Sequence, residues 1–151
     1  MDIYQLTWVI KKFDALANEE LYQILRLRME TFIVEQNSIY VDLDNKDQMA
    51  YHFCGFVKEK LIMYGRVNFA DEEAYIQRVI VRKEYRQQKL GHHLIEKMLH
   101  FIEEKPDVKN IKLNAQHHLQ IFYEKQGFSV AGKSFDDGGI LHIPMLKIRD
   151  S

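Results

Sequence analysis

Val79-Ile80-Val81-Arg82-Lys83-Glu84-Tyr85-Arg86-Gln87-Gln88-Lys89-Leu90-Gly91-His92 runs from an apolar, β-branched stretch through a basic turn into the start of a helical pattern. Downstream, Leu94, Ile95, Met98, Leu99 and Ile102 recur at helical spacing and Pro106 stops them, after which Ile111 to Asn114 resumes an extended pattern. The spacing predicts a β-α-β unit. Arg82, Lys83, Arg86 and Lys89 outweigh Glu84 by a local charge of +3, placed where the unpaired N–H groups and the positive dipole end of the helix converge. Such a site favours a phosphate, and Gly91 has no Cβ to block its approach. The same residues also suit a solvated turn whose glycine relieves crowding.

Working outward, Trp8 to Ile10 reads as a first strand, and Asn18 caps a helix that carries Leu21, Ile24, Leu25, Leu27 and Met29 and ends near Phe32. Residues 35–49 lack periodicity and read as a long, acidic functional loop. Tyr51 to Lys58 and Leu61 to Phe69 form an expected hairpin turning at Glu59-Lys60, with another strand from Tyr75 to Val81. A helix over Gln116 to Gln126 is closed by Gly127, and strands from Phe128 and from His142 finish the chain. With 151 residues, 46% hydrophobic, 28% charged and without repeats, the chain reads as one α/β (α+β) domain over residues 1–151.

The net charge of −1 gives no global field for nucleic acid. One cysteine, Cys54, leaves no disulfide framework and too few thiols for a cysteine metal site, which fits a reducing compartment. No apolar run suggests a membrane span, and Met1 to Lys12 lacks a signal-peptide core, so a cytoplasmic location without membrane partners is expected. The pairs His92-His93 and His117-His118 do not share a helix face, and no metal is expected.

Arg86 and Gly91 fall at the two ends of an R/Q-x-x-G-x-G/A pattern, and Phe122-Tyr123-Glu124-Lys125-Gln126-Gly127-Phe128 follows at the spacing of a second signature. Together they resemble the GNAT superfamily of N-acetyltransferases. Phe32-Ile33-Val34-Glu35-Gln36 and Gly139-Ile140-Leu141-His142-Ile143 are similar to its ElaA-like branch. The chain departs from the pattern at Lys89, where the first motif glycine is usual, and at Gln116 and Leu119, where Asn and Ala are common. A lysine at a position needing positive φ is strained, although its ammonium suits a phosphate.

The resemblance implies a mixed, mostly antiparallel central sheet flanked by helices, with strands splayed at the cofactor site. It implies acetyl-CoA as acyl donor, held by Val79, Ile80, Val81, Arg86, Gln87, Gln88, Lys89, Leu90, Gly91, His92, Gln116 and Tyr123. N–H and C=O groups of Val79 and Val81 would pair with the pantetheine arm, amides from Gln87 to His92 would hold the pyrophosphate, and the 3′-phosphate would lie towards Arg82, Lys83 and Arg86. The amide near Val79 is the oxyanion donor by resemblance.

Tyr123 is the candidate acid for the leaving thiolate, though an aromatic on an amphipathic helix also suits a core. His142, Glu35 and His52, in that order, are candidate bases, and with Arg66 and Arg78 they form the expected acceptor site. Residues 35–47 carry a charge of −3 that could receive a cationic amine, while Arg66 and Arg78 could pair with those acids or grip an acceptor carboxylate. Cys54 lacks features that would lower its pKa, so direct transfer in a ternary complex to a small-molecule or peptide amine is expected. A non-catalytic acyl-CoA sensor on the same scaffold is the alternative, and exposed sheet edges would permit a homodimer.

Overall fold

The structure is a computed structural model that describes residues 5–149. Strands β1 (Leu6–Lys12), β2 (Tyr51–Val57), β3 (Lys60–Ala70), β4 (Glu73–Val81), β5 (Asn110–Gln116), β6 (Ser129–Val130), β7 (Phe135–Asp137) and β8 (Ile140–Ile148) form one eight-stranded sheet. Its order is β1-β2-β3-β4-β5-β8-β6, with β7 also on β8. Among the described residues only β4 and β5 run parallel. Helices α1 (Asn18–Arg28), α2 (Leu90–Glu103) and α3 (Gln120–Glu124) complete the fold. The expected mixed, mostly antiparallel sheet is therefore present. Among the described residues no helix is long and apolar enough to cross a membrane.

Two apolar clusters show how the helices sandwich the sheet. Leu94, Ile95, Met98 and Ile102 of α2 pack with Phe53, Val67 and Ile76, whereas Ile24 and Leu27 of α1 pack with Cys54, Leu61 and Ile80. Neighbouring Phe53 and Cys54 fall in different clusters, as period-two alternation requires. Ile76 and Ile80, four apart, should share a face, yet they too fall in different clusters. An extra residue in β4 explains this. Tyr64 pairs with Ile80 but Arg66 pairs with Gln77, so Arg78 and Val79 together oppose Gly65. The resulting β-bulge holds Arg78 at φ +58° and re-aims everything beyond it.

Several element boundaries differ from the sequence reading. Helix α1 passes without a break into a π-helical turn, Met29–Glu35, so that the acidic loop begins only after Glu35. Its first-turn Glu20 carboxylate accepts the Ala17 N–H at 2.8 Å, which places the cap one residue before Asn18. The helix expected over Gln116 to Gln126 is shorter, because Gln116 still pairs with His142 in the sheet and a 3₁₀ turn, His117–Leu119, intervenes before α3. Gly127, at φ +96°, ends that segment as expected. The C-terminal region contains β6, β7 and β8 rather than two strands, because Gly138 and Gly139 turn the chain between β7 and β8.

Candidate active site

The two parallel strands pair only through Glu73–Tyr75 of β4 and Asn110–Lys112 of β5, then diverge. The opening is a cleft of about 1610 Å³, walled by the ends of both strands and by α3, the basic turn and the loop after Glu35. Arg82 N–H donates to the Ile62 carbonyl at 2.7 Å, so the two-residue alternation turns Ile80 towards β3 and the N–H groups of Val79 and Val81 into the cleft. One carbonyl expected to be free is not. Val81 O accepts Arg86 Nε at 2.8 Å, which corrects that part of the expectation.

The turn into α2 has an unusual backbone. Gln87 (φ +64°) and Lys89 (φ +63°) both occupy left-handed space, and alternating hands of this kind gather successive N–H groups into an anion-binding concavity. A Cβ built on Gly91 would lie 3.6 Å from Val81 Cγ2 and 3.7 Å from Phe122 Cζ, both cleft-lining side chains. The missing side chain thus leaves room in the cleft itself. Of the expected donor-binding residues, Val79, Ile80, Val81, Arg86, Gln87, Lys89, Leu90, Gly91, His92, Gln116 and Tyr123 line the cleft. Gln88 is not brought to its wall. Arg82 is committed elsewhere, donating to Leu61 O at 2.9 Å and lying 3.6 Å from Glu30.

Glu35 and Arg86 meet across the mouth in a bidentate pair of 2.5 and 3.0 Å. Hydrogen bonding from that guanidinium holds the Glu35 carboxyl below its ordinary pKa, which makes it a poor proton acceptor. Tyr123, 5% exposed, packs edge-on between Phe122 and Phe128 and lines the cleft, and burial raises its phenol pKa. Its hydroxyl makes no hydrogen bond among the described residues. His142 also lines the cleft and stacks on Phe135, with Nδ1 2.8 Å from the Ile140 carbonyl. That bond requires a proton on Nδ1 and leaves the Nε2 lone pair available.

His52 is a correction. It is fully buried and absent from the cleft wall, with Nε2 2.9 Å from the Asp47 carbonyl and Nδ1 2.6 Å from the Tyr64 hydroxyl. The carbonyl takes the Nε2 proton and Tyr64 donates to Nδ1, so both nitrogens are occupied; burial pushes the imidazole pKa down. Cys54 lies buried away from the cleft, its thiol pushed up to about 12 by burial.

The acidic loop is corrected as well. Asp47 receives Arg28 at 2.7 Å and Arg66 at 2.8 Å, Asp44 receives Arg66 at 2.7 Å, and Asp42 receives Arg28 at 2.7 Å and Arg78 at 2.8 Å. Three arginines thereby neutralise the three aspartates expected to attract a cation. Arg28, on the polar edge of an otherwise apolar helical pattern, was not singled out by sequence because its partners lie 14 and 19 residues away. Ser38, whose hydroxyl donates to Gly138 O, was also missed; it ties the loop to the β7–β8 turn. The Asp136-Asp137-Gly138-Gly139 run was the available signal for that hairpin.

The geometry invites comparison with known proteins. The acetyltransferase (GNAT) domain family matches residues 14–149. The chain belongs to the GNAT family. Protein ElaA of Escherichia coli strain K12 is 33% identical over 147 residues, covering 94% of this chain and 96% of that protein. The E. coli ElaA crystal structure superposes with a TM-score of 0.89 over 95% of this GNAT chain and 99% of that one. An acyl-CoA N-acyltransferase from Pseudomonas aeruginosa gives 0.89 at 32% identity, over 95% and 99% of the two chains. A PaiA N-acetyltransferase from Thermoplasma acidophilum, solved in complex with coenzyme A, shares the fold with a TM-score of 0.69 at 18% identity over 95% of this chain and 99% of that one.

Proposed function

We propose that this GNAT protein transfers an acetyl group from acetyl-CoA to a primary amine, directly within a ternary complex. The observation that carries the reading is the opening between β4 and β5, which exposes outward-facing amides of Val79 and Val81 beside an unpaired Tyr123 hydroxyl. Acetyl-CoA fits what the residues offer: strand amides for an amide-bearing arm, a left-handed turn of N–H groups for a diphosphate, and a glycine where a Cβ would fill the space. It supplies an acyl carbon on a thioester.

The chain's residues then divide the work. Val79 N–H is aimed to stabilise a developing oxyanion. Tyr123, kept protonated by burial, donates its proton to the departing sulfur. His142 Nε2, fixed as the basic nitrogen, removes a proton from the attacking amine. The paired Glu35 holds Arg86 rather than acting as base, and a buried Cys54 gives no route to a covalent intermediate.

Coenzyme A release measured across an amine panel tests the reading. Tyr123→Phe should lower kcat about 100-fold or more while coenzyme A binding, followed by calorimetry, persists. Turnover undiminished by that substitution at neutral and at high pH would remove Tyr123 from its role. Binding without consumption of the donor would favour a non-catalytic acyl-CoA sensor.

A further inference from the structure

We propose that the acceptor is a primary amine that carries its own carboxylate, and that Arg78 and Gln77 hold that carboxylate; the inference rests on the acetyl-transfer reading above. The donor inventory of the buried network singles out these two residues. Arg28 has all three guanidinium nitrogens engaged, Nε and Nη2 with Asp42 and Nη1 with Asp47. Arg66 is likewise complete, with Nε on Gln77 and its terminal nitrogens on Asp44 and Asp47. Arg78 is not. Its Nε lies 2.8 Å from the Asp42 carboxylate without hydrogen-bond geometry, its Nη2 donates to the Asp42 carbonyl at 3.1 Å and to Asp44 at 3.4 Å, and Nη1 has no partner among the described residues.

Gln77 adds a second donor. Its Oε1 accepts from Arg66 Nε at 3.0 Å and from Asn68 Nδ2 at 2.8 Å, which fixes the amide and leaves Nε2 without a partner among the described residues. In a regular strand, Gln77 and Arg78 would face opposite sides. The bulge and the left-handed backbone of Arg78 instead bring both side chains onto the network that Arg66 and Asp44 share, and both line the cleft. That backbone is strained in a residue with a Cβ. Such strain gathers at functional sites, where it re-aims a side chain.

Charge points the same way. Each aspartate of the loop is neutralised, so a polyamine finds Asp137, exposed at the end of β7, as the uncommitted carboxylate lining the cleft among the described residues, and the cleft-lining Lys46 opposes it. A carboxylate finds two N–H groups of a guanidinium already held in place, the arrangement that makes charge-assisted hydrogen bonds strong.

Matched sets of an α-amino acid, its decarboxylated amine and its carboxamide would be assayed for coenzyme A release, with calorimetric binding of each to the coenzyme A-saturated protein measured in parallel. The carboxylate member should show a kcat/KM at least about tenfold above its decarboxylated partner. Arg78→Asn, whose side chain tolerates left-handed backbone, should bring that ratio close to one, and Gln77→Met should reduce it, serving as the second variant if the first does not fold. Decarboxylated amines used equally well by the unaltered protein, or a preference that survives both substitutions, would overturn the proposal. If no amine is consumed yet the amino acid binds and Arg78→Asn abolishes binding, the carboxylate site stands and the acetyl-transfer reading falls. Absence of both turnover and carboxylate binding overturns the site as well.

Discussion

At Lys89 the sequence and the backbone disagree, and the disagreement is informative. The residue stands where the family's first motif glycine is usual, and it adopts the left-handed conformation that a glycine would adopt without strain. The strain was foreseeable from the motif spacing; the identical strain at Gln87 was not, since nothing local marks that position. Replacing Lys89 by Gly removes about 1–2 kcal/mol of strain and adds back about 0.5–1 kcal/mol of unfolded-chain entropy. Lys89→Gly should therefore stabilise the fold by up to about 1.5 kcal/mol, seen as a Tm rise of at most about 3–6 °C in a thermal scan. A drop in Tm would show that the lysine side chain contributes more than its backbone costs. The same scale explains why Tyr123 and Gly91 were legible as residues of the cleft wall and His52 was misplaced. The first two sit in spaced motifs, whereas the surroundings of His52 depend on Tyr64 of the next strand and on the Asp47 carbonyl, both set by tertiary packing.

Among the elements, strand β4 carries most of the functional geometry. Its apolar, β-branched end was readable as a strand, but the bulge at Arg78–Val79 was not, because an extra residue opposite Gly65 leaves no mark on hydrophobic alternation until the partner register is known. The short β7 was missed for a related reason: three exposed residues, Phe135–Asp137, carry no buried face to betray a strand. The open edge of β4 makes its own prediction. In hydrogen-exchange measurements the amides of Val79 and Val81 should exchange faster than that of Ile80, which points to β3, and coenzyme A should slow the two fast amides by an order of magnitude or more, at least about tenfold. Unchanged exchange at both residues in the saturated protein would place the ligand's arm elsewhere.

For the molecule as a whole, the buried ions govern how stability responds to acid. The imidazole of His52 is pushed below its ordinary value of 6.5, so the unfolded chain takes up a proton first; this contribution is complete above about pH 6.5 and falls as pH drops below it. Asp44, held by Arg66 at about 2 against an ordinary 3.8, contributes fully above 3.8 and loses that contribution between 3.8 and 2. Tm measured against pH should therefore be level above neutrality, decline gently below pH 6.5 and fall more steeply below pH 4. His52→Gln should flatten the gentle limb and leave the steep one; an unaltered gentle limb would mean another group sets it. The composition announced none of this, since a chain of net charge −1 conceals three arginines and three aspartates packed against one another.

The joint between β4 and β5 has a mechanical corollary. Among the described residues, three rungs, Glu73–Asn110 to Tyr75–Lys112, and the Glu72 carbonyl that accepts the Lys109 and Asn110 N–H groups beside them are the backbone pairing that fastens the first four strands to the last four. A thread of amides laid into the gap would add rungs on either flank and act as mortar between two leaves. Loading and unloading the donor would then stiffen and slacken the seam, coupling the grip on one reactant to the shape of the space left for the other.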